Sequence, residues 1–195
     1  MGYDTIIGKV FLFRTLFMLV VGGVTILYFQ RSFANMIREA NISDFESIAA
    51  LEKQVLAIHA EGNPDIFLQE YFGGNSTKHQ EYFEECLQDE DIKIFVFEEN
   101  REVLGTCLTE ALEYGEDDSA FREATILRVE NMCVAEKARG RRIGKHLLEK
   151  AKTYAKEIGA TRLELLVWEC NQNAREFYEH LGMSTTYRCM KIGVE

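Results

Sequence analysis

One stretch of the sequence, residues 130–148, joins a strand-like apolar run, a loop of arginines and glycines, and a helical pattern. Between Lys137 and Lys152 the chain carries seven basic residues against one acidic residue, Glu149, although the whole protein has a formal net charge of −10. Glycine lets a backbone approach a phosphate closely, and a helix N-terminus attracts anions through its free N–H groups and its dipole. The stretch therefore predicts a site for a ligand that carries several phosphates.

Two well-known phosphate-binding motifs do not account for this loop. A P-loop requires G-x-x-x-x-G-K-[ST], and the dinucleotide-binding fingerprint requires G-x-G-x-x-G. Gly140 and Gly144 are instead separated by three other residues, and neither motif occurs in the chain. The loop must therefore belong to another class of phosphate-binding protein.

Length and composition indicate one globular domain with an acidic surface. The chain has 195 residues, of which 47% are hydrophobic and 28% are charged, with 22 Lys and Arg against 32 Asp and Glu. This balance excludes a disordered or fibrous protein. Because nucleic-acid phosphates favour a basic surface, we expect no nucleic-acid partner.

The cysteines and histidines are too scattered for a structural metal site, which normally has paired short spacings. We expect free, buried thiols of a reducing compartment and no bound metal. The residues concerned are Cys86, Cys107, Cys133, Cys170 and Cys189, with His59, His79, His146 and His180.

Hydrophobic periodicity from residue 36 onward alternates between strand and helix spacing. Predicted strands cover residues 36–39, 92–97, 103–112, 124–134, 162–167 and 185–192, and predicted helices cover residues 43–59, 77–87, 142–158 and 173–181. A capping box formed by Ser43 and Glu46 is expected to begin the first helix. The order β-α-α-β-β-β-α-β-α-β indicates an α/β protein with a mixed sheet.

The N-terminal residues 1–35 form a hydrophobic segment ahead of the predicted domain at residues 36–195. Residues 10–29 are almost continuously apolar and are just long enough to span a bilayer. Three interpretations stay open: an upstream extension, which we favour, a signal anchor that contains Arg14, and a signal peptide.

The arginine-rich loop resembles the acetyl-CoA signature R/Q-x-x-G-x-G/A of the GNAT superfamily of N-acetyltransferases. Arg139, Ile143 and Gly144 fit that signature, within the common surrounding form of an R-G dipeptide and G-K-x-L-L. Arg142 departs from it, because the family usually has its first glycine there.

A second segment supports the same resemblance. The run N-x-x-A-x-x-F-Y-E-x-L-G-M, from Asn171 to Met183, is similar to a GNAT motif that follows the next strand. The resemblance covers about residues 36–195. It implies the acyl-CoA N-acyltransferase fold, in which a central, mostly antiparallel sheet is flanked by helices.

The resemblance implies an enzyme that transfers acetyl from acetyl-CoA to a primary amine by direct attack in a ternary complex, without a metal. It places the cofactor contacts on the strand before the loop, on the loop itself and at the start of the second motif. The residues implied are Met132, Cys133, Val134, Arg139, Gly140, Arg141, Arg142, Ile143, Gly144, Lys145 and Asn171.

The reaction needs a proton donor for the departing thiolate and a proton acceptor for the amine. The resemblance implies Tyr178 as the acid, and Glu130 is the candidate base, acting through water. Tyr178 could instead be a packing residue of its helix, and Glu130 could be a surface carboxylate. Glu169 is a further candidate base, whereas His146 is expected to pack.

The acceptor pocket is expected near residues 56–72, because the first helices of GNAT proteins line it. Acidic and aromatic side chains there suit a cationic amine. The acceptor could be a polyamine-like or aminoglycoside-like small molecule, or a protein amino group. The candidate residues are His59, Glu61, Asp65, Tyr71, Glu110 and Tyr114.

A non-catalytic acyl-CoA-binding or interaction module with the same fold is the alternative function. Because acetyl-CoA is cytosolic, we expect a cytoplasmic domain, with membrane attachment only if residues 10–29 act as an anchor. A homodimer is an open option.

Overall fold

The computed structural model describes residues 36–67, 77–115 and 122–194, together with the backbone of residues 16–21 and 24–29. The chain divides into two compact units, Met1–Met36 and Ile37–Glu195. In the first unit, strands β1 (Leu16–Val21) and β2 (Val24–Phe29) form an antiparallel pair. In the part of the chain that the structure describes, no helix is long and apolar enough to cross a bilayer.

The second unit contains five strands and four helices in the described ranges. In chain order these are β3 (Ile37–Glu39), α1 (Phe45–Gly62), α2 (Thr77–Gln88), β4 (Ile92–Glu99), β5 (Glu102–Tyr114), β6 (Ala124–Val134), α3 (Ile143–Glu157), β7 (Arg162–Leu165) and α4 (Gln172–His180). The predicted order is therefore confirmed as far as α4.

One sheet organises this unit, with the strand order β3-β4-β5-β6-β7. The first three pairings are antiparallel, and β6 and β7 run parallel. Asn100 and Arg101 have φ angles of 53° and 66° in the turn between β4 and β5. Positive φ at both central residues is typical of the tight turns that match the twist of a hairpin. The predicted mixed, mostly antiparallel sheet with flanking helices is confirmed.

Helices cover both faces of the sheet, so β4 is apolar on both sides. Ile94 and Val96 pack in a core with residues of α1 and α2, including Phe45 and Phe83. Phe95 faces the other way, where its ring lies 5.8 Å from that of Tyr154 on α3. Each such buried side chain stabilises the fold by about 1.5–3 kcal/mol.

The capping box ahead of α1 uses different residues from those predicted. A short 3₁₀ helix, Ile42–Asp44, precedes α1, so the box begins earlier in the chain. Asn41 Oδ1 accepts from the Ser43 N–H at 3.0 Å, and Asp44 Oδ2 accepts from the Asn41 N–H at 2.8 Å. Arg38 adds an ion pair to Asp44 at 2.7 Å and so ties the box to β3.

The strand predicted for residues 185–192 is not formed. Residues 183–194 contain no helix or strand, and Met190 and Ile192 are about nine-tenths exposed. Their alternating apolar pattern is strand-like, but a strand also needs a neighbouring edge. β7 ends at Leu165, two residues before its predicted end, and so offers an edge of only four residues.

Candidate active site

The backbone of β6 is unpaired along one side at its C-terminal end. β7 pairs with β6 only from Ile126 to Val129, whereas β6 continues to Val134. Residues 130–134, here called the open edge, therefore have no strand neighbour on that side among the residues that the structure describes. The predicted contacts Met132, Cys133 and Val134 lie on this open edge.

A β-bulge marks the start of the open edge. The pairing of β5 with β6 shifts between Leu108 and Thr109, so that Glu130 has no residue opposite it. A bulge bends its strand and redirects side chains, and bulges are common beside active sites. The bend coincides with the point where β6 and β7 separate.

Only some of the predicted basic contacts are available to a ligand. Arg141 donates two hydrogen bonds to the Glu99 carboxylate, at 2.9 and 2.7 Å, and Lys137 pairs with Glu102, so the β4–β5 hairpin holds both. Lys145 lies 3.8 Å from Glu149.

The side chains of Arg139 and Arg142, by contrast, form no hydrogen bond or ion pair with any residue in the described ranges. Both are exposed beside the start of α3. They are therefore the two cations best placed for a phosphate.

Arg142 adopts the left-handed conformation, with φ 64° and ψ 13°. It is the N-cap residue of α3 but makes no side-chain cap hydrogen bond, so the first N–H groups of the helix stay available to a ligand. A left-handed residue other than glycine costs about 1–2 kcal/mol. The glycine that the family motif has at this position therefore suits the backbone better than arginine does.

We expect Arg142→Gly to stabilise the fold by about 0.5 kcal/mol, because relief of strain exceeds the extra chain entropy of glycine in the unfolded state. In thermal unfolding this corresponds to a Tm about 2 °C higher. Arg142→Ala is the matched control, since it removes the charge and keeps Cβ. An equal gain in both variants would contradict the strain explanation.

Gly144 is required by close packing rather than by its φ angle. A Cβ at this position would lie 3.1 Å from Phe177 Cζ and 3.6 Å from a methyl group of Val134. The glycine thus lets α4 approach the start of α3 and the end of β6. The two predicted motifs meet at this contact.

The neighbour of Phe177, Tyr178, is partly buried between α4 and the sheet. Burial raises the pKa of its phenol, and the Cys107 and Cys133 thiols on β5 and β6 contribute to the same direction. The hydroxyl has no hydrogen-bond partner in the part of the chain that the structure describes. Tyr178 is therefore a protonated group beside the open edge that can donate to a ligand.

Asn171 acts as the N-cap of α4, where its Oδ1 accepts from the Ala174 N–H at 3.2 Å. Asn171 therefore has a structural role at the start of α4. Its side-chain amide nitrogen makes no hydrogen bond to any residue that the structure describes.

The thiols near the site are protonated. Burial raises the pKa of Cys107 to about 12 and also raises the pKa of Cys133. Cys133 donates to Asn131 Oδ1 at 3.1 Å, and both side chains lie on the face of β6 toward α1. Because a thiolate is the nucleophilic form, neither residue is suited to carry an acyl group. In the described ranges, no group of three or more His, Cys, Asp or Glu is arranged to hold a metal.

Glu130 lies beside a second carboxylate, Glu110. Burial raises the pKa of Glu130, and the charge of Arg128 lowers it. Glu110 raises this pKa further, both by its negative charge and by its hydrogen bond to Glu130. Arg128 lies 3.7 Å from Glu130 and donates to the Tyr114 hydroxyl at 2.8 Å. These predicted base and acceptor residues therefore form one cluster.

The predicted acceptor region near the end of α1 contains an aromatic cluster. The His59 ring lies 5.9 Å from those of both Phe67 and Trp168, and Phe67 and Trp168 are 5.0 Å apart. Sequence reasoning missed Trp168, which follows β7. Asp65 is paired with Lys191 at 2.5 Å, and Tyr71 lies outside the described residues.

A buried polar network was also missed. Glu52 on α1 bonds to His79 of α2 and to Asn131 of β6, each at 2.9 Å. The sequence held a signal for it, because Glu52 follows Ile48 by four positions and His79 precedes Phe83 by four. Both polar residues therefore lie on the apolar stripes of their helices.

A family model described as the acetyltransferase (GNAT) family matches residues 61–183. This is more than half of the chain, so the protein belongs to the GNAT family of acetyltransferases. It is an acetyl-CoA-dependent N-acetyltransferase, which confirms the enzyme class and co-substrate expected from the two motifs.

Solved structures show the same fold. A variant of the BH1408 protein from Bacillus halodurans has 26% sequence identity and a TM-score of 0.75, over 82% of this chain and 99% of that one. Aminoglycoside N-acetyltransferase AAC(6′)-Iy in complex with CoA has 16% identity and a TM-score of 0.58, over 82% and 98%. Glucosamine-6-phosphate N-acetyltransferase from Arabidopsis thaliana has 21% identity and a TM-score of 0.59, over 82% and 97%. Among curated proteins, none matches this chain significantly.

Proposed function

We propose that this protein transfers the acetyl group of acetyl-CoA to a primary amine by direct attack, with both substrates bound at once. The observation that carries the proposal is the open edge of β6, which is followed, after the loop at residues 135–142, by the N-terminus of α3. Arg139 and Arg142 in this loop have no partner among the described residues. The unpaired strand would bind the pantetheine arm and the thioester, and the loop would bind the phosphates.

Arg139 and Arg142 are the side chains assigned to the phosphates, with the backbone of residues 140–145 between and after them. Charge-assisted hydrogen bonds to phosphate oxygens are stronger than neutral ones. Arg141 has a smaller role in this assignment, because Glu99 competes with any phosphate for its guanidinium.

The chemical step needs one bond to form and one to break. The amine nitrogen attacks the thioester carbon, and backbone N–H groups of the open edge stabilise the oxyanion that results. The C–S bond then breaks, Tyr178 donates its proton to the departing thiolate, and the ammonium proton passes to Glu130 through water.

The acceptor is a primary amine on a small molecule or a protein. The cluster formed by Glu110, Glu130 and Tyr114 favours an acceptor that carries positive charge. The neighbours AAC(6′)-Iy and glucosamine-6-phosphate N-acetyltransferase are named for amine acceptors, which agrees with this class.

Isothermal titration of acetyl-CoA into the full chain and into Arg139→Ala tests the cofactor site. We expect micromolar binding by the wild type and a Kd about 10–100-fold higher for the variant, because a hydrogen bond to a charged group contributes about 1.5–3 kcal/mol. The binding should also weaken as salt is added.

Lys156→Ala is the matched control for this titration. It removes a charge of the same sign from the last turn of α3, about 20 Å from the loop. Equal losses in the two variants would contradict a local phosphate site. Thiol release from acetyl-CoA with spermidine, kanamycin and a lysine peptide then tests the transfer, and folded wild type without acetyl-CoA binding would refute the proposed function.

A further inference from the structure

The polar network between α1, α2 and β6 has one carboxylate at its centre. Glu52 Oε1 accepts from Asn131 Nδ2 at 2.9 Å, and Glu52 Oε2 lies 2.9 Å from His79 Nε2. The side chain of Glu52 is only 16% exposed, and the His79 ring packs edge-on against Phe45 at 5.3 Å. Each oxygen of one buried group is thus bound by a different element of the fold.

At the strand end of this network, β6 is paired with another described strand on one side only. Asn131 directly follows the bulged residue Glu130, and the open edge that begins there has a described strand neighbour only on the β5 side. A strand with a bulge on one side and no partner on the other has fewer backbone hydrogen bonds to define its position. Side-chain anchors therefore have more influence there than elsewhere in β6.

Two anchors from α1 bracket this stretch. Glu52 holds Asn131 at its start, and Gln54 Oε1 accepts from the backbone N–H of Glu136 at 3.1 Å, just beyond its end. The Asn131 side chain is fixed further by the hydrogen bond that Cys133 donates to it. The inner anchor is the stronger of the two, since it involves a charged group and is less exposed to water.

The burial of Glu52 has a cost that only its partners offset. Burial raises the pKa of this carboxyl group, and the His79 and Asn131 contacts act to lower it. A buried polar group without partners is strongly unfavourable. Glu52 thus needs hydrogen-bond partners at an internal position where an apolar side chain would need none.

We propose that Glu52 is a positioning residue for acetyl transfer, which fixes the open edge of β6 through Asn131 so that its N–H groups meet the thioester oxygen. The inference rests on the proposed function, because it assigns the open edge to the thioester. Glu52 does not touch either substrate in this role. It acts on the geometry of β6, the strand that would contact the thioester.

The loss of such an anchor should affect the transition state more than cofactor binding. Most of the binding energy of CoA would come from the phosphates, which bind to the loop at the start of α3 and not to the strand that Glu52 anchors. Stabilisation of an oxyanion depends on donors held within a fraction of an ångström, and a 1 Å displacement can cost about 100-fold in rate.

The test uses acetyl-CoA labelled with ¹³C at the thioester carbonyl, so that it needs no knowledge of the acceptor. Infrared spectra of the bound cofactor report hydrogen bonding to that oxygen as a shift of the carbonyl stretch to lower frequency. We expect the shift in the wild type, its loss in Glu52→Ala, and an acetyl-CoA Kd within about 3-fold of the wild-type value, since the phosphate contacts remain. Turnover with the most active amine of the panel should fall about 30–100-fold in the same variant.

Glu52→Gln distinguishes positioning from proton transfer. The amide oxygen of Gln can accept from Asn131, and its NH₂ group can donate to a ring nitrogen of His79. We therefore expect the carbonyl shift to return and kcat to lie within about 3-fold of wild type. If Glu52→Gln is as impaired as Glu52→Ala, the carboxylate charge itself is needed and the positioning role is refuted. An unchanged carbonyl shift in Glu52→Ala would also refute it.

Two further variants protect the test against a failure to fold. Asn131→Ala breaks the same hydrogen bond from the strand side while it leaves the Glu52–His79 pair intact, and it should lose the carbonyl shift as Glu52→Ala does. Lys53→Ala, at the next and exposed position of α1, should behave as wild type. If the wild type itself does not bind acetyl-CoA, the proposed function fails. If it binds and only the Glu52 and Asn131 effects are missing, the positioning role alone fails.

Discussion

Tyr178→Phe should lower kcat by about 10²–10³-fold, because a positioned general acid typically contributes 10²–10⁴-fold. Phe keeps the ring and its packing beside Phe177, whose centroid lies 5.2 Å away, and removes only the hydroxyl. The Kd for acetyl-CoA should therefore change by less than about 5-fold, since a single neutral hydrogen bond contributes about 1 kcal/mol or less. Stopped-flow thiol release, together with titration of acetyl-CoA, measures the two quantities.

The pH profile provides a second test of Tyr178. Burial raises its pKa above the usual value of about 10, so the phenol keeps its proton at every pH up to that value. Loss of the acid form should therefore cause no fall in kcat between pH 7 and pH 10. A wild-type profile that falls in this range and becomes flat in Tyr178→Phe would contradict the raised pKa of Tyr178. A kcat that does not change on substitution would contradict its role as the acid.

Glu130→Gln should lower kcat/KM by about 100-fold at neutral pH if Glu130 receives the amine proton through water. Burial and Glu110 raise the pKa of this carboxyl group above its usual value of about 4.3. A higher pKa makes the carboxylate a better base, and activity should rise with pH as the group loses its proton. The wild type should show this acidic limb, and Glu130→Gln should lack it.

Glu110→Gln is the informative control for the base. Because the Glu110 contacts raise the pKa of Glu130, their loss should lower that pKa and move the acidic limb of kcat/KM to lower pH. The plateau value of kcat/KM should fall as well, because Glu110 belongs to the cluster that attracts a cationic acceptor, so the position of the limb is the readout and its height is not. A limb that does not move in Glu110→Gln, or that persists in Glu130→Gln, would assign the base to another group.

The basic loop shows how far sequence reasoning reached. A local charge reversal and two glycines predicted an anion site there, because charge and glycine content are properties of the chain itself. The sequence does not reveal that Arg141 is bound to Glu99, since these residues are 42 positions apart and meet only through the β4–β5 hairpin. The sequence also does not reveal that the backbone of Arg142 is strained, because the strain depends on its φ angle of 64° in the folded protein.

The Glu52 network and the last strand mark the limits of pattern analysis. Glu52 and His79 each interrupt an apolar stripe, which indicates a buried polar residue but not its partner. Residues 185–192 have a strand-like alternation, yet pairing also requires an edge, and β7 is too short to provide one. Both outcomes depend on contacts between segments that are distant in the chain.

The sequence by itself determined the order of elements from β3 to α4, the GNAT family, acetyl-CoA as co-substrate and the segments that meet at the site. These follow from local periodicity and from motifs whose residues lie close together in the chain. Tertiary structure decided which of the basic residues pair with acidic residues in the described ranges, where β6 separates from β7, and that Glu52 bonds to Asn131 beside that opening. Such features depend on the register of the sheet and on helix packing, which bring together side chains that no short motif contains.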